Sequence, residues 1–218
     1  MRRFSSLLLT AILVTLTACA PPRTSSRVPS GVSGPIRIEL DPREPSLSFG
    51  VLPRGNDRTI FKVGFGRNGV TCAGTRFEEG YTPLGRFRVN AILTATRFEM
   101  DPALIALSGK TEAELRNSLF SNMNAIDFNG DGMTREYGIG YVSLAPIDSV
   151  KQPFAFNTYA GKFRWYSFAI HGSNNDRRIG QKATGGCVNV SQPDLKLLLA
   201  AVKLGDEVVV TAKGPCTR

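Results

Sequence analysis

The chain of 218 residues carries 27 Lys and Arg against 18 Asp and Glu, a formal net charge of +9, and 42% of it is apolar. That size suits one domain, or one domain with a tail, and the apolar content together with 22 Gly and 13 Pro excludes a disordered chain and a coiled coil. The basic residues are scattered rather than gathered into a run that follows a phosphate backbone, so nucleic acid is not an expected partner. Four cysteines are present, while Lys, Arg, Asp and Glu are accompanied by a single histidine.

Met1-Arg2-Arg3 followed by the apolar stretch from Phe4 to Ala18 has the basic start and hydrophobic centre of a secretory signal, expected to span 1–18. At about 15 residues the stretch falls short of the roughly 20 that cross a bilayer comfortably. It ends in Leu16-Thr17-Ala18-Cys19, which resembles the lipobox of bacterial lipoproteins. The resemblance implies acylation of Cys19, and several acyl chains on one residue hold a protein stably to a membrane. With Ala20 rather than aspartate behind the anchor, lipoprotein sorting rules imply the periplasmic side of the outer membrane in a cell that has one. Residues 20–35 are rich in Pro, Ser and Gly without hydrophobic periodicity and read as a tether with a reach of about 20–24 Å. Anchor and tether thus occupy 19–35 and the folded domain 36–218.

From Ile36 the chain is mainly β. Alternation and β-branched or aromatic content predict strands over 36–40, 59–65, 86–93, 138–144, 163–170 and 207–211. Two helices are expected. Thr111 and Glu114 have capping-box spacing ahead of a helix over 111–123. Ser191 caps a second over 192–204, in which Leu195, Leu198, Leu199 and Val202 recur at helical spacing and which Gly205 ends.

A strand ending at Ile170 delivers the lone His171, and a polar, glycine-rich loop leads from Gly172 to Gly185-Gly186-Cys187. A cysteine nucleophile needs a base that raises its thiolate fraction, and backbone N–H groups near it hold the oxyanion of a tetrahedral intermediate. Gly185 and Gly186 allow the backbone to approach closely. From composition alone, an inert packed cysteine and a structural histidine fit equally well.

Two motifs add to this. His171-Gly172, Ile179-Gly180 and Gly186-Cys187-Val188-Asn189, with Cys187 sixteen positions after His171, resemble the active-site pattern of the YkuD-type L,D-transpeptidases. Upstream, Tyr81-Thr82-Pro83-Leu84-Gly85-Arg86-Phe87 resembles that family's Thr-Pro-x-Gly-x-Phe turn into a strand. The resemblance covers about 36–212 and implies a mixed β-sheet or β-sandwich catalytic domain with a few short helices. It implies Cys187 as nucleophile, His171 as base and then acid, and Gly186, Gly185, Gly172 and Thr184 as the residues that hold the oxyanion and shape the site. The implied partner is the peptidoglycan stem peptide: a tetrapeptide stem would lose D-Ala, form a thioester and pass to an amine in a 3-3 crosslink, with no cofactor. Hydrolysis on the same scaffold, or a non-catalytic peptidoglycan-binding lipoprotein, are the alternatives.

Three positions depart from the family pattern. Thr184 stands where Ser is usual and keeps the hydroxyl, and Gly185 replaces a frequent second histidine, leaving His171 as the one imidazole. Asn189 occupies a position where many members carry Arg and another branch carries Asn, so the resemblance suggests Asn189 as a substrate-binding residue; Arg177, Arg178 or Lys182 are the candidates for a charge that meets a donor carboxylate, with a plain solvated loop as the alternative.

The segment between Phe87 and His171 is longer than a minimal member needs and reads as an insertion at about 98–160. Within it Asp127, Asn129 and Asp131 hold positions 1, 3 and 5 of an EF-hand-type loop, but Gly138 stands at position 12 where a bidentate Glu is required. Calcium there competes with a plain Asx-rich turn. Cys72 and Cys216 remain after anchor and nucleophile; export permits a disulfide between them, and two unpaired thiols are equally compatible with the sequence.

Overall fold

The computed structural model describes residues 31–75, 78–122, 126–127, 135–147, 157–159, 162–164 and 168–216. The expected signal, Cys19 and residues 20–30 of the tether lie outside the described residues. The strands are β1 (Ile36–Leu40), β2 (Phe49–Arg54), β3 (Asp57–Gly66), β4 (Gly69–Thr71), β5 (Tyr81–Pro83), β6 (Gly85–Thr94), β7 (Phe98–Met100), β8 (Gly140–Pro146), β9 (Asn157–Tyr159), β10 (Lys162–Arg164), β11 (Ala169–His171), β12 (Lys182–Thr184), β13 (Val188–Val190) and β14 (Glu207–Ala212). The α-helices are α1 (Pro102–Ser108), α2 (Glu112–Asn122) and α3 (Gln192–Ala201).

The principal sheet runs β12-β3-β13-β11-β8-β6-β14-β1-β2, with β7 attached to β6, and it returns on itself because β2 also pairs with β3. The mainly β expectation holds, and β1 spans the expected residues. Inside the closed sheet, Ile38, Phe61, Phe87, Ile92, Ile170, Val188 and Val190 pack with Leu195 and Leu198 of α3. Full burial of a leucine contributes about 1.5–3 kcal/mol, so α3 is held chiefly by this apolar stripe.

β6 shows how a second core forms. Its first half alternates, with Arg86 and Arg88 exposed and Phe87 and Val89 buried, whereas Asn90 to Leu93 are all buried. The change comes at a bulge, where the pairing with β8 shifts between Val89 and Ala91. Beyond it Ala91 and Leu93 turn to the other face and join Tyr141, Ala169, Met100, Leu115 of α2 and Ile126 in a separate cluster, against which Cys187 packs. The helices between β7 and β8 therefore roof the face of the sheet that carries Cys187.

Several boundaries differ from expectation for identifiable reasons. The segment 98–160 is not one insertion: β8 is a central strand between β6 and β11, with Tyr141, Val142 and Leu144 buried, and the additions flank it as β7, α1 and α2 on one side and the β9–β10 hairpin on the other. The strand expected over 163–170 is divided between β10 and β11. The helix expected to run to Leu204 stops at Ala201, because Arg97 donates to the carbonyls of Leu199 and Val202 at 2.7 and 2.9 Å and buried Val202 turns extended. Gly205, with φ +88°, belongs to the following turn. The capping box of α2 is present: the Thr111 N–H donates to Glu114 at 2.7 Å, and the Glu114 N–H returns to the Thr111 hydroxyl at 3.2 Å.

Candidate active site

Strand register assembles the site. On the roofed face, Gly64 of β3, Asn189 of β13, His171 of β11, Tyr141 of β8 and Leu93 of β6 lie side by side in one row. Parallel pairing of β11 with β13 sets Ile170 beside Val188, so the residue before each, Ala169 and Cys187, are neighbours on the same face and pack in the same cluster.

His171 is 6% exposed and its Nδ1 lies 2.6 Å from the Gly172 carbonyl. A carbonyl only accepts, so neutral His171 carries its proton on Nδ1 and presents Nε2 as a base. The ring packs against Tyr137 at a centroid distance of 4.2 Å and lies parallel to Tyr141 at 5.9 Å. Burial pushes its pKa down to about 4, opposed by the Gly172 carbonyl. Burial likewise pushes the Cys187 thiol up to about 11, opposed by the Ala169 N–H and the Tyr141 hydroxyl at the sulfur. At neutral pH the resting pair is therefore thiol and imidazole, and a high standing thiolate fraction is not a property of this site.

The loop before Cys187 is fastened from two sides. The Thr184 hydroxyl donates to the Cys187 carbonyl at 2.6 Å and accepts the Gly186 N–H at 3.1 Å. The Gly186 N–H is thus engaged, which removes it from the expected oxyanion donors. The Gly185 carbonyl accepts the Gly80 N–H at 2.7 Å, while Gly185 itself is exposed. Gly186, at φ +131°, adopts a backbone conformation that favours glycine. Gly172 is needed for space rather than for its dihedral: a Cβ there would lie 2.8 Å from Gln192 Nε2 and 2.9 Å from the Tyr137 carbonyl. Gln192, the first residue of α3, donates to the Ser173 carbonyl at 3.0 Å and accepts the Ile139 N–H at 3.2 Å, pinning both segments beside His171. Gly172→Ala is expected to cost about 1–3 kcal/mol of stability, read as a lower denaturation midpoint, through overpacking of this contact; an unchanged midpoint would show that the loop yields freely.

The family model for the YkuD L,D-transpeptidase catalytic domain matches residues 35–210. The chain belongs to this family. An L,D-transpeptidase structure from Xylanimonas cellulosilytica is similar at 17% identity, with 87% of this chain and 64% of that one covered and a TM-score of 0.38. L,D-transpeptidase 3 from Mycobacterium tuberculosis, in complex with a faropenem-derived adduct, is 13% identical over 81% of this chain and 60% of that one, with a TM-score of 0.42. An L,D-transpeptidase from Mycobacterium smegmatis is 13% identical over 80% and 58%, at 0.37. The matched part thus amounts to about 60% of the length of these structures. No curated protein matches the chain.

Within this YkuD domain the residues suggested for charge recognition separate. Asn189 is 2% exposed and packs over Gly64, whose Cβ position lies 2.1 Å from Asn189 Oδ1, so Asn189 does not face a substrate carboxylate. Arg177 and Arg178 are exposed on a 3-10 turn, Asp176–Arg178, that Asn175 caps, and Lys182 is exposed on β12. A cation that sequence reasoning passed over, Arg67, forms a 3.0 Å ion pair with Glu79 beside Gly185. Tyr137, Tyr141 and Gln192 were also missed, since only strand register and the α3 cap bring them to His171.

Cys72 and Cys216 are joined in a disulfide, and Cys187 is free. Of the calcium candidates, Asp127 is buried, with its N–H donating to the Gly138 carbonyl at 3.0 Å. Asn129 and Asp131 lie outside the described residues. Among the described residues no three His, Cys, Asp or Glu side chains gather into a metal site, and no helix is long and apolar enough to cross a membrane.

Proposed function

We propose that the protein is a peptidoglycan L,D-transpeptidase with Cys187 as nucleophile and His171 as its base. The observation that carries this reading is the tautomer imposed on His171: with Nδ1–H given to Gly172, Nε2 serves a neutral thiol on the same face of the sheet. His171 Nε2 takes the Cys187 proton as sulfur attacks the carbonyl after the third residue of a tetrapeptide stem. The Cys187 N–H supports the oxyanion. Collapse breaks the peptide C–N bond, the imidazolium gives its proton to the departing D-Ala amine, and a thioester remains. An acceptor amine then attacks that thioester, His171 takes the amine proton and returns it to sulfur, and an amide forms as the thiol is released. A stem-peptide amine gives a 3-3 crosslink, water gives carboxypeptidase activity, and a lipoprotein lysine gives anchoring.

The same reading puts the enzyme at the cell wall: residues 1–18 serve as export signal, Cys19 as lipid anchor and the following segment as tether, on the periplasmic side of the outer membrane in a cell that has one. Purified protein incubated with tetrapeptide muropeptides and examined by mass spectrometry tests the reaction. Cysteine-dependent dimers are expected; released D-Ala without dimers would make the enzyme a hydrolase, and unchanged muropeptides with retained sacculus binding would make it a non-catalytic wall-binding protein.

A further inference from the structure

We infer that Thr82, outside the His171–Cys187 loop, is a positioning residue that aims the Cys187 N–H at the reacting carbonyl; this rests on Cys187 being the nucleophile. Thr82 lies in β5 and is fully buried. Its hydroxyl donates to the Gly186 carbonyl at 2.7 Å and accepts the Gly66 N–H from the end of β3 at 2.9 Å, so both capacities of the group are used.

The Gly186 carbonyl and the Cys187 N–H belong to one planar trans peptide, and in such a plane they point in opposite directions. A bond that fixes the oxygen therefore fixes the direction of the N–H. The tie matters because Gly186, at φ +131°, has no side chain to restrict the plane. Thr184 binds the other two groups of the dipeptide, the Gly186 N–H and the Cys187 carbonyl. With three groups held by two threonines, the Cys187 N–H is the group turned to the reaction. Gly66 lets β5 come close enough: a Cβ there would lie 2.5 Å from the Gly80 carbonyl and 2.7 Å from the Thr82 nitrogen.

Two small probes separate this role from general support. p-Nitrophenyl acetate acylates a thiol through a tetrahedral oxyanion, and iodoacetamide alkylates it by displacement without one. Thr82→Val, which keeps the shape and loses the hydroxyl, is expected to slow the p-nitrophenol burst about 100-fold, as loss of an oxyanion donor does, with alkylation within about twofold of wild type. Thr82→Ser is expected to restore the burst to within about fivefold. Should Thr82→Val fail to fold, Thr82→Ala carries the same comparison. Equal changes in both reactions, an unchanged burst, a Ser variant as slow as Val, or a wild type without a burst would overturn the inference. Because neither probe contains a stem peptide, selective loss of the burst would uphold it even if muropeptides proved not to be the substrate.

Discussion

Replacing His171 with glutamine is expected to slow acyl transfer by roughly 10^3- to 10^4-fold at pH 7, close to the effect of Cys187→Ala. The magnitude follows from the resting state. With the thiol pushed up to about 11, about one molecule in 10^4 holds a thiolate at pH 7 once no base takes the proton during attack. No other imidazole exists in the chain to substitute. Combining the two substitutions is expected to add little, since base and nucleophile act as one unit. The pH profile supplies an independent reading. In wild type the neutral pair persists between about 4, where buried His171 takes a proton, and about 11, where buried Cys187 ionises, so kcat/KM should form a broad plateau. In His171→Gln the residual rate should instead climb about tenfold per pH unit until the thiol ionises. A plateau that survives the substitution would show that His171 is not the base.

The same burial makes the fold acid-sensitive. Unfolded His171 binds its proton near 6.5 and folded His171 near 4, so within that window the unfolded chain carries more protons and stability rises with pH. The contribution is complete above about 6.5 and lost below about 4, with a size of about 3 kcal/mol. His171→Gln should flatten this part of the stability profile.

The proposed site residues stand out in the sequence because the motif around Cys187 is local: His171 ends a strand and the glycines precede the thiol within one loop. Helix ends were legible where a side chain does the capping, as Ser191 and Thr111 do. The central strands were harder. Val188-Asn189-Val190 is buried on both faces, so no alternation marks it. Asn189 illustrates the limit of a motif: it occupies a position associated with substrate recognition, yet pairing with β3 seats it over Gly64, away from solvent. Tyr141 comes to lie beside His171 from thirty positions earlier because β8 pairs antiparallel to β11, a juxtaposition that belongs to register and leaves no trace in local spacing.

Removing the Cys72–Cys216 disulfide is expected to be the largest purely structural loss, about 4–5 kcal/mol in the chain-entropy account, because the bond closes a loop across a separation of 144 residues. The double variant Cys72→Ala/Cys216→Ala should show this as a lower denaturant midpoint with little change in slope, and dithiothreitol should reproduce it in wild type. The effect has a route to the active site. Cys72 follows β4, β4 pairs with β5, and β5 carries Thr82 against Gly186. On the other side, Cys216 packs against the core at the end of the segment that leaves β14, which pairs with β1 and β6. The bond thus fastens the β4–β5 strap to the body of the sheet. Ester acylation of Cys187 should fall in the double variant at temperatures well below global unfolding, while iodoacetamide still reacts. A reductant added to protect Cys187 acts against this bond, so activity measured with dithiothreitol should decline with incubation time and recover on reoxidation. A stability change below about 1 kcal/mol would mean that the strap is held by the hydrogen bonds that Gly80 and Thr82 make to Gly185 and Gly186, with the disulfide adding little.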